Sequence, residues 1–265
     1  MAIDKVTGTA WADLSKISNV AKADIAKVAG QDAPAASPSQ LSSLIGWWDP
    51  SEATSGDTTL SNKITATNDH YQNSINGAAI TTLNGLNCWY LDGTNDRVGT
   101  ANINATGTIF PTVNNNTEFT IEGWIRSNGS WINNGNWWNM GYNSGYRNRF
   151  TSSGNLWNYP RTTKQTTGTF STNTWHHICV TMSSSNGGVS FGTMKVYKNG
   201  SLMQDFGNIG TTPNYSGGAV NFWGAYGNTS EFGRFYMGMC RRYTVELTAS
   251  EVAYNYNLEK ADYGY

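Results

Sequence analysis

From Leu44 onward, apolar and polar positions alternate in short runs broken by Gly, Asn and Pro, the period-two signature of half-buried strands. SLIGWWDP (43–50) opens this region, and the apolar run NCWYLDG (87–93) ends in a turn. In EFTIEGWIRS (118–127), Phe119, Ile121 and Ile125 share one face, and Glu122, Trp124 and Arg126 share the other. NTWHHICVTM (173–182) groups Ile178, Val180 and Met182. MKVYKNGSLMQD (194–205) reads as a hairpin whose Asn199-Gly200 pair suits a type I′ turn. FGRFYMGMCRRY (232–243) is a further strand, with Phe235, Met237 and Met239 on one face. There the alternation stops. Thr248 and Glu251 form a T-x-x-E capping box, and Leu247 and Val252 form a hydrophobic staple, predicting a helix over 249–257 that Tyr254 and Tyr256 tie to the strands. The expected fold is all-β: a two-sheet antiparallel sandwich over residues 44–265 with one short C-terminal helix.

Residues 1–32 have another texture, rich in Ala, Lys and Asp with Trp11 as their aromatic. DLSKISN (13–19) is echoed by DIAKVAG (24–30), an offset of eleven residues, close to three helical turns. Leu14, Ile17, Ile25 and Val28, joined by Trp11 and Val20, would line an apolar stripe on one or two short helices. So short a segment cannot shelter that stripe alone. It folds back on its own domain, docks on another subunit or stays disordered, and docking is the expectation. The expected organisation is a helical docking arm at 1–32, a Pro/Ala/Ser linker at 33–43 and the sandwich beyond.

Composition narrows the function. Charged residues make up 13% of the 265-residue chain and the net charge is −1, so the surface is built from Asn, Ser, Thr and Gly, with no basic stripe for nucleic acid. No apolar run approaches a membrane span, and MAIDKVTGTAW lacks the apolar core of a secretory signal. Cys88, Cys179 and Cys240 match no zinc spacing and read as buried thiols. Eleven Trp and 14 Tyr are a heavy aromatic load.

Four blocks in order resemble the laminin-G-like modules of the concanavalin A-like lectin/glucanase superfamily: YLDGTNDRV (90–98), FTIEGWIR (119–126), NTWHHICVTM with MKVYKNGSLM, and GRFYMGMCRRYTVELTASEVAYNY (233–256). The resemblance covers roughly residues 44–258 and implies the concanavalin A-like jelly roll, with the capped helix as its usual ending. One departure stands out: Met237 to Met239 replace an acidic pair of the closing strand, removing any ligand role for those acids. The segment AWADLSKISNVAKADIAKVAGQ (10–31) resembles N-terminal segments of tailed-phage virion proteins, especially marine ones.

Glucanases of this superfamily use an E-x-D-x-E strand, whose alternate carboxylates share a face. Here Glu118 and Glu122 keep the spacing, but Thr120 stands where the central Asp would be, so no enzyme is expected; two solvent-facing glutamates are the plainer view. His176 and His177 are strand neighbours pointing to opposite sides, so they cannot easily share a metal. Asp92, Asn95 and Asp96 offer hard oxygens in one turn and are the weak candidates for calcium, the one cofactor considered. SNGSWINNGNWWNMGYNSGYRNRF (127–150) and LWNYPR (156–161) set Trp131, Trp137, Trp138, Tyr142, Tyr146, Trp157 and Tyr159 among Asn and Gly, as sugar-stacking rings or as packing and subunit contacts. The combined expectation is a non-enzymatic phage structural protein, a capsid decoration or a fibre or tail component. It would be assembled in the host cytoplasm, held in many copies by other virion proteins, and would display a lectin-like domain toward host-surface glycans. The alternatives are a carbohydrate-binding module of a bacterial surface or secreted protein, and a degenerate glycoside hydrolase.

Overall fold

The structure, a computed structural model, describes residues 27–28, 31–32, 37–64, 70–72, 78–100, 118–140, 146–160, 163–212, 221–225 and 231–265. The chain divides into two compact units, Met1–Pro38 and Ser39–Tyr265. In the first, β1 (Lys27–Val28) pairs antiparallel with β2 (Gln31–Asp32). Val28, expected on a helix, therefore lies in a small ribbon; Gly30 in the same segment is a poor helix former. Trp11, Leu14, Ile17, Val20 and Ile25 of the expected arm lie outside the described residues.

The second unit runs β3 (Leu44–Trp48), β4 (Thr59–Leu60), β5 (His70–Gln72), β6 (Ala79–Leu83), β7 (Leu86–Asp92), β8 (Val98–Thr100), β9 (Phe119–Ser127), β10 (Gly135–Met140), β11 (Tyr146–Phe150), β12 (Leu156–Pro160), β13 (Lys164–Gln165), β14 (His176–Ser185), β15 (Ser190–Lys198), β16 (Ser201–Asn208), β17 (Asn221–Trp223) and β18 (Arg234–Tyr243), then the helix α1 (Ala249–Glu259). Two eight-stranded antiparallel sheets result among the described residues. The first is ordered β13-β12-β11-β10-β17-β8-β5-β4. The second is ordered β16-β15-β14-β9-β18-β7-β6, with β3 beside the end of β18. We call them the front and back sheets.

Their facing sides share one core. Phe119 of the back sheet meets Trp138 and Tyr146 of the front sheet at ring-centroid distances of 5.8 and 5.1 Å. Ile121, Ile125, Ile178, Val180 and Met182 join them, as the alternation predicts. Along β18 it is interrupted. The register with β9 shifts between Met237 and Cys240, so Cys240 faces the core, while Met239 turns outward against Trp124 and Tyr263. A bulge inserts a residue and reverses the facing of everything beyond it, which is why the expected Phe235, Met237, Met239 set is broken. The Tyr263 hydroxyl accepts the Met239 N–H at 2.8 Å, and a Cβ on Gly238 would lie 2.4 Å from that oxygen.

The hairpin turn is as predicted, with Asn199 and Gly200 both at positive φ, 52° and 75°. The helix is too. Thr248 accepts the Glu251 N–H, Glu251 accepts the Thr248 N–H, and Leu247 and Val252 are buried together. Cys88, Cys179 and Cys240 are buried free thiols. The sandwich unit begins before the expected boundary at 44. Ser39 donates its N–H to Asn255 Oδ1 at 2.8 Å, and Gln40 bonds Glu251, so residues 39–43 belong with α1 rather than with a linker. No helix among the described residues is long and apolar enough to cross a membrane.

Candidate functional site

Two outward faces carry chemistry. On the back sheet, β9 and β18 align Glu122 with Arg241, so both side chains leave on the side away from the core. Glu122 Oε1 accepts from Arg241 Nη1 at 2.9 Å, Asn255 Nδ2 at 2.9 Å and Tyr243 Oη at 3.1 Å. His177 Nε2 lies 3.4 Å from Oε2, longer than a good hydrogen bond. Arg241 also pairs with Glu259 and lies over the Trp47 ring, and Glu259 Oε2 accepts the Trp124 indole N–H. The helix lids this cluster with its 252/255/256/259 face, and Tyr256 and Tyr263 stack on Trp124. Tyr254, expected to tie the helix down, is exposed instead. Burial pushes the Glu122 carboxyl up, but the adjacent His177 imidazole and the charge and hydrogen bond of Arg241 outweigh it and hold it down to about 2.

This overturns the view of Glu118 and Glu122 as solvent-facing. Glu122 is fully buried, and Glu118 spends Oε1 on the Glu246 N–H. Thr120 between them donates to Val245 O and accepts from Leu247 N. Neither Glu122 nor Thr120 can meet a glycosidic bond, so the glucanase arrangement is absent from this strand. His176 and His177 do point to opposite sides, pairing in register with core-facing Ile125 and outward Trp124. In the β7–β8 turn, Asp92 Oδ1 accepts from Thr94 N and Asp96 Oδ2 from Asp92 N, so these carboxylates are turned into their own backbone; Asn95 is half-buried there. Among the described residues, no group of three or more His, Cys, Asp or Glu converges as metal ligands would.

The front sheet separates the aromatic candidates. Trp131, Trp137, Trp138 and Tyr146 are buried in the core, where their rings are closed to solvent rather than displayed; Tyr142 lies outside the described residues. The cause is local. A register shift between Asn136 and Trp138 lets both Trp137 and Trp138 pack inward near Trp223. Trp131 stacks on Phe150 at 4.0 Å and gives its indole N–H to Phe170 O. Tyr146, Asn148 and Asn158 share an internal hydrogen-bond trio, and burial drives the Tyr146 phenol up.

Trp157 and Tyr159 differ. Along β12 they alternate with buried Leu156, Asn158 and Pro160, and so stand half-exposed on the outer face. Opposite them on β11 are Arg149 and Arg147, in direct register. The Arg149 guanidinium lies 4.4 Å from the Trp157 ring centre and that of Arg147 4.9 Å from Tyr159. Glu231 bridges both arginines, Oε2 to Arg147 and Oε1 to Arg149, each at 3.0 Å, and accepts from Asn136 Nδ2 at 2.8 Å. On the far side of Trp157, Gln165 Oε1 accepts the indole N–H. Asn139 faces the same side, in register with Arg147. The sequence-level search missed Arg147, Arg149, Glu231 and Asn139. The YRNRF alternation could have paired the arginines with Trp157 and Tyr159, whereas Glu231 arrives from 82 residues beyond Arg149.

Comparison with known proteins places this geometry in a family. Residues 92–253 match the family model described as the concanavalin A-like lectin/glucanases superfamily. No curated protein matches the sequence. Domain 4 of AbnA, a GH43 extracellular arabinanase from Geobacillus stearothermophilus solved in complex with arabinotriose, superposes with a TM-score of 0.59 at 14% identity, over 80% of this chain and 98% of that one. The binding domain of Paraclostridial Mosquitocidal Protein 1 gives 0.59 at 16% identity, over 82% of this chain and 52% of that one. The binding domain of botulinum neurotoxin DC in complex with rat synaptotagmin II gives 0.57 at 15%, over 83% and 52%. The chain spans about half the length of these two toxin domains, and at such identities the likeness is one of fold.

Proposed function

The chain belongs to the concanavalin A-like lectin/glucanases superfamily, and from that membership we propose that it is a non-enzymatic binding protein that recognises glycans through the outer face of its front sheet. The observation that carries this is the array of Trp157, Tyr159, Arg147, Arg149 and Glu231. Planar rings and fixed polar groups stand together there, partly buried but with an edge in solvent, on and beside strands of the front sheet. Burial of Glu122 under α1 supports a binding rather than a hydrolytic role. The proposed setting is a phage particle, as capsid decoration or as a fibre or tail component, with residues 1–32 as the anchor. That part rests on the apolar stripe and its resemblance to virion segments. Many copies on one particle would turn weak single-site binding into avidity.

The extracellular origin of the AbnA domain favours a second setting, a binding module of a bacterial surface or secreted protein. Two experiments test the reading. Purified full-length chain on a glycan array binds saccharides, and the Trp157→Ala, Tyr159→Ala double variant does not; an array blank for the wild type refutes the function. Particles imaged by electron microscopy carry the protein and lose it when residues 1–32 are deleted. A chain that never copurifies with particles refutes the virion setting and leaves the second.

A further inference from the structure

The proposed site has a chemical bias. A neutral sugar binds aromatic residues by laying its C–H face on a bare ring. Each ring here has a guanidinium over one face, Arg149 on Trp157 and Arg147 on Tyr159, and Gln165 holds the indole edge. What the face presents is guanidinium. Both guanidinia bond the carboxylate of Glu231, one to each oxygen. Arg149 uses Nη1 on Glu231, while its Nε–H is buried with no acceptor. These side chains are only 13–21% exposed, so their charges act through less solvent than on an open surface.

A second observation is independent of the arginines. Asn139, 1% exposed on the same side of β10 in register with Arg147, has neither its amide oxygen nor its amide nitrogen hydrogen-bonded. A buried amide left unpaired opposes folding, so its presence calls for another explanation. A third is the backbone. Glu231 sits at φ 55°, a left-handed conformation that costs a non-glycine residue energy. It is held there by its own side-chain bonds and by its carbonyl, which accepts from Asn136 N at 3.0 Å.

We propose that this face is a subsite for an acidic saccharide: a uronate or sialate carboxylate lies against the N–H edges of Arg147 and Arg149 beside Glu231, and neighbouring sugar hydroxyls satisfy the Asn139 amide. Glu231 then serves as the internal anion that keeps both guanidinia parallel to the rings when no ligand is bound, as Arg–carboxylate geometry favours. The inference rests on the glycan-binding function proposed above and specifies its ligand class.

The test uses the full-length chain against immobilised oligosaccharides of equal length, neutral (galactan, arabinan) and acidic (oligogalacturonate, sialylated lactose), with polyglutamate as a non-sugar anion. Acidic saccharides are expected to bind at least about tenfold tighter than neutral ones and to weaken as salt rises. Arg149→Gln and Arg147→Gln should each reduce that binding about tenfold or more, with Arg149→Lys restoring only part. Asn139→Leu separates binding from structure: it should cost binding while leaving the urea midpoint unchanged or higher, because it removes an unpaired buried amide. Equal binding of neutral and acidic saccharides overturns the acidic subsite and leaves glycan binding standing. Polyglutamate held as tightly as the acidic sugars overturns it in favour of an acidic-peptide surface. No saccharide binding at all overturns both.

Discussion

The two outer faces of the sandwich are built from the same parts and come to opposite ends. Each sets a glutamate between cationic and aromatic side chains delivered in register by adjacent strands. On the back sheet, Glu122 meets Arg241, Tyr243 and Asn255 beneath α1, and the whole cluster is closed to water. On the front sheet, Glu231 meets Arg147 and Arg149 beside Trp157 and Tyr159, and the cluster keeps an edge in solvent. The difference is one helix. A covered ion cluster is held by fixed partners out of reach of any ligand, so it organises the fold even though Glu122 Oε2 and Arg241 Nε stay unpaired. An uncovered one keeps an edge that a ligand can reach.

Removing the buried carboxylate should separate the faces most sharply. Glu122→Gln strands Arg241 with Glu259 as its remaining carboxylate, and is expected to cost about 3–5 kcal/mol in urea unfolding. A cost below about 1 kcal/mol would mean the closed cluster contributes no more than a surface pair.

Acid should act next, and through a different residue. Glu122 is held at about 2 against an ordinary 4.5, so the stability it contributes is full above pH 4.5 and is lost progressively as pH falls from 4.5 through 2. His176 works in the other range. Burial first, then the nearby charge of Lys198, lower its imidazole to about 4 from 6.5 despite a bond to Ser171. The unfolded chain therefore takes up a proton that the fold refuses between pH 6.5 and 4, and stability should fall by about 3 kcal/mol across that window. Thermal melts should show the loss in the wild type and much less of it in His176→Gln; equal loss in both would assign it elsewhere.

Uncapping the lid should have a smaller effect. Thr248→Ala removes the capping box and is expected to cost about 1 kcal/mol by thermal melting, while leaving binding at the front face unchanged. Loss of glycan binding in this variant would show that the two faces are coupled. Smallest of all, Glu231→Gln should shift stability by less than about 1 kcal/mol, since its partners are partly solvated. A cost as large as that of Glu122→Gln would make both clusters structural and remove the contrast.

Much of the architecture is local and was legible. Alternation in FTIEGWIR and HHICVTM fixed which side chains enter the core, because a strand can bury only every second residue when one side packs. Thr248, Glu251, Leu247 and Val252 fixed where the helix starts, because caps act over one turn, and Asn199-Gly200 fixed the hairpin through its backbone conformation. The site was legible only by halves. Trp157 and Tyr159 were found as rings, but so were Trp131, Trp137, Trp138 and Tyr146, which the β10 bulge and the sheet-to-sheet contact take into the core. A list of aromatics cannot tell these apart, since burial is a property of the assembled layers.

The sequence by itself therefore determined the longer alternating strands β3, β7, β9, β14–β16 and β18, the turn, the capped helix and the family of sandwiches, all set by interactions spanning a few residues or by strict alternation. Only the tertiary structure decided that Glu122 is sealed, that Met239 and Cys240 exchange sides, and that Glu231 crosses the chain to join two arginines over two rings. Those outcomes depend on which distant segments share a face, and no local pattern encodes that pairing.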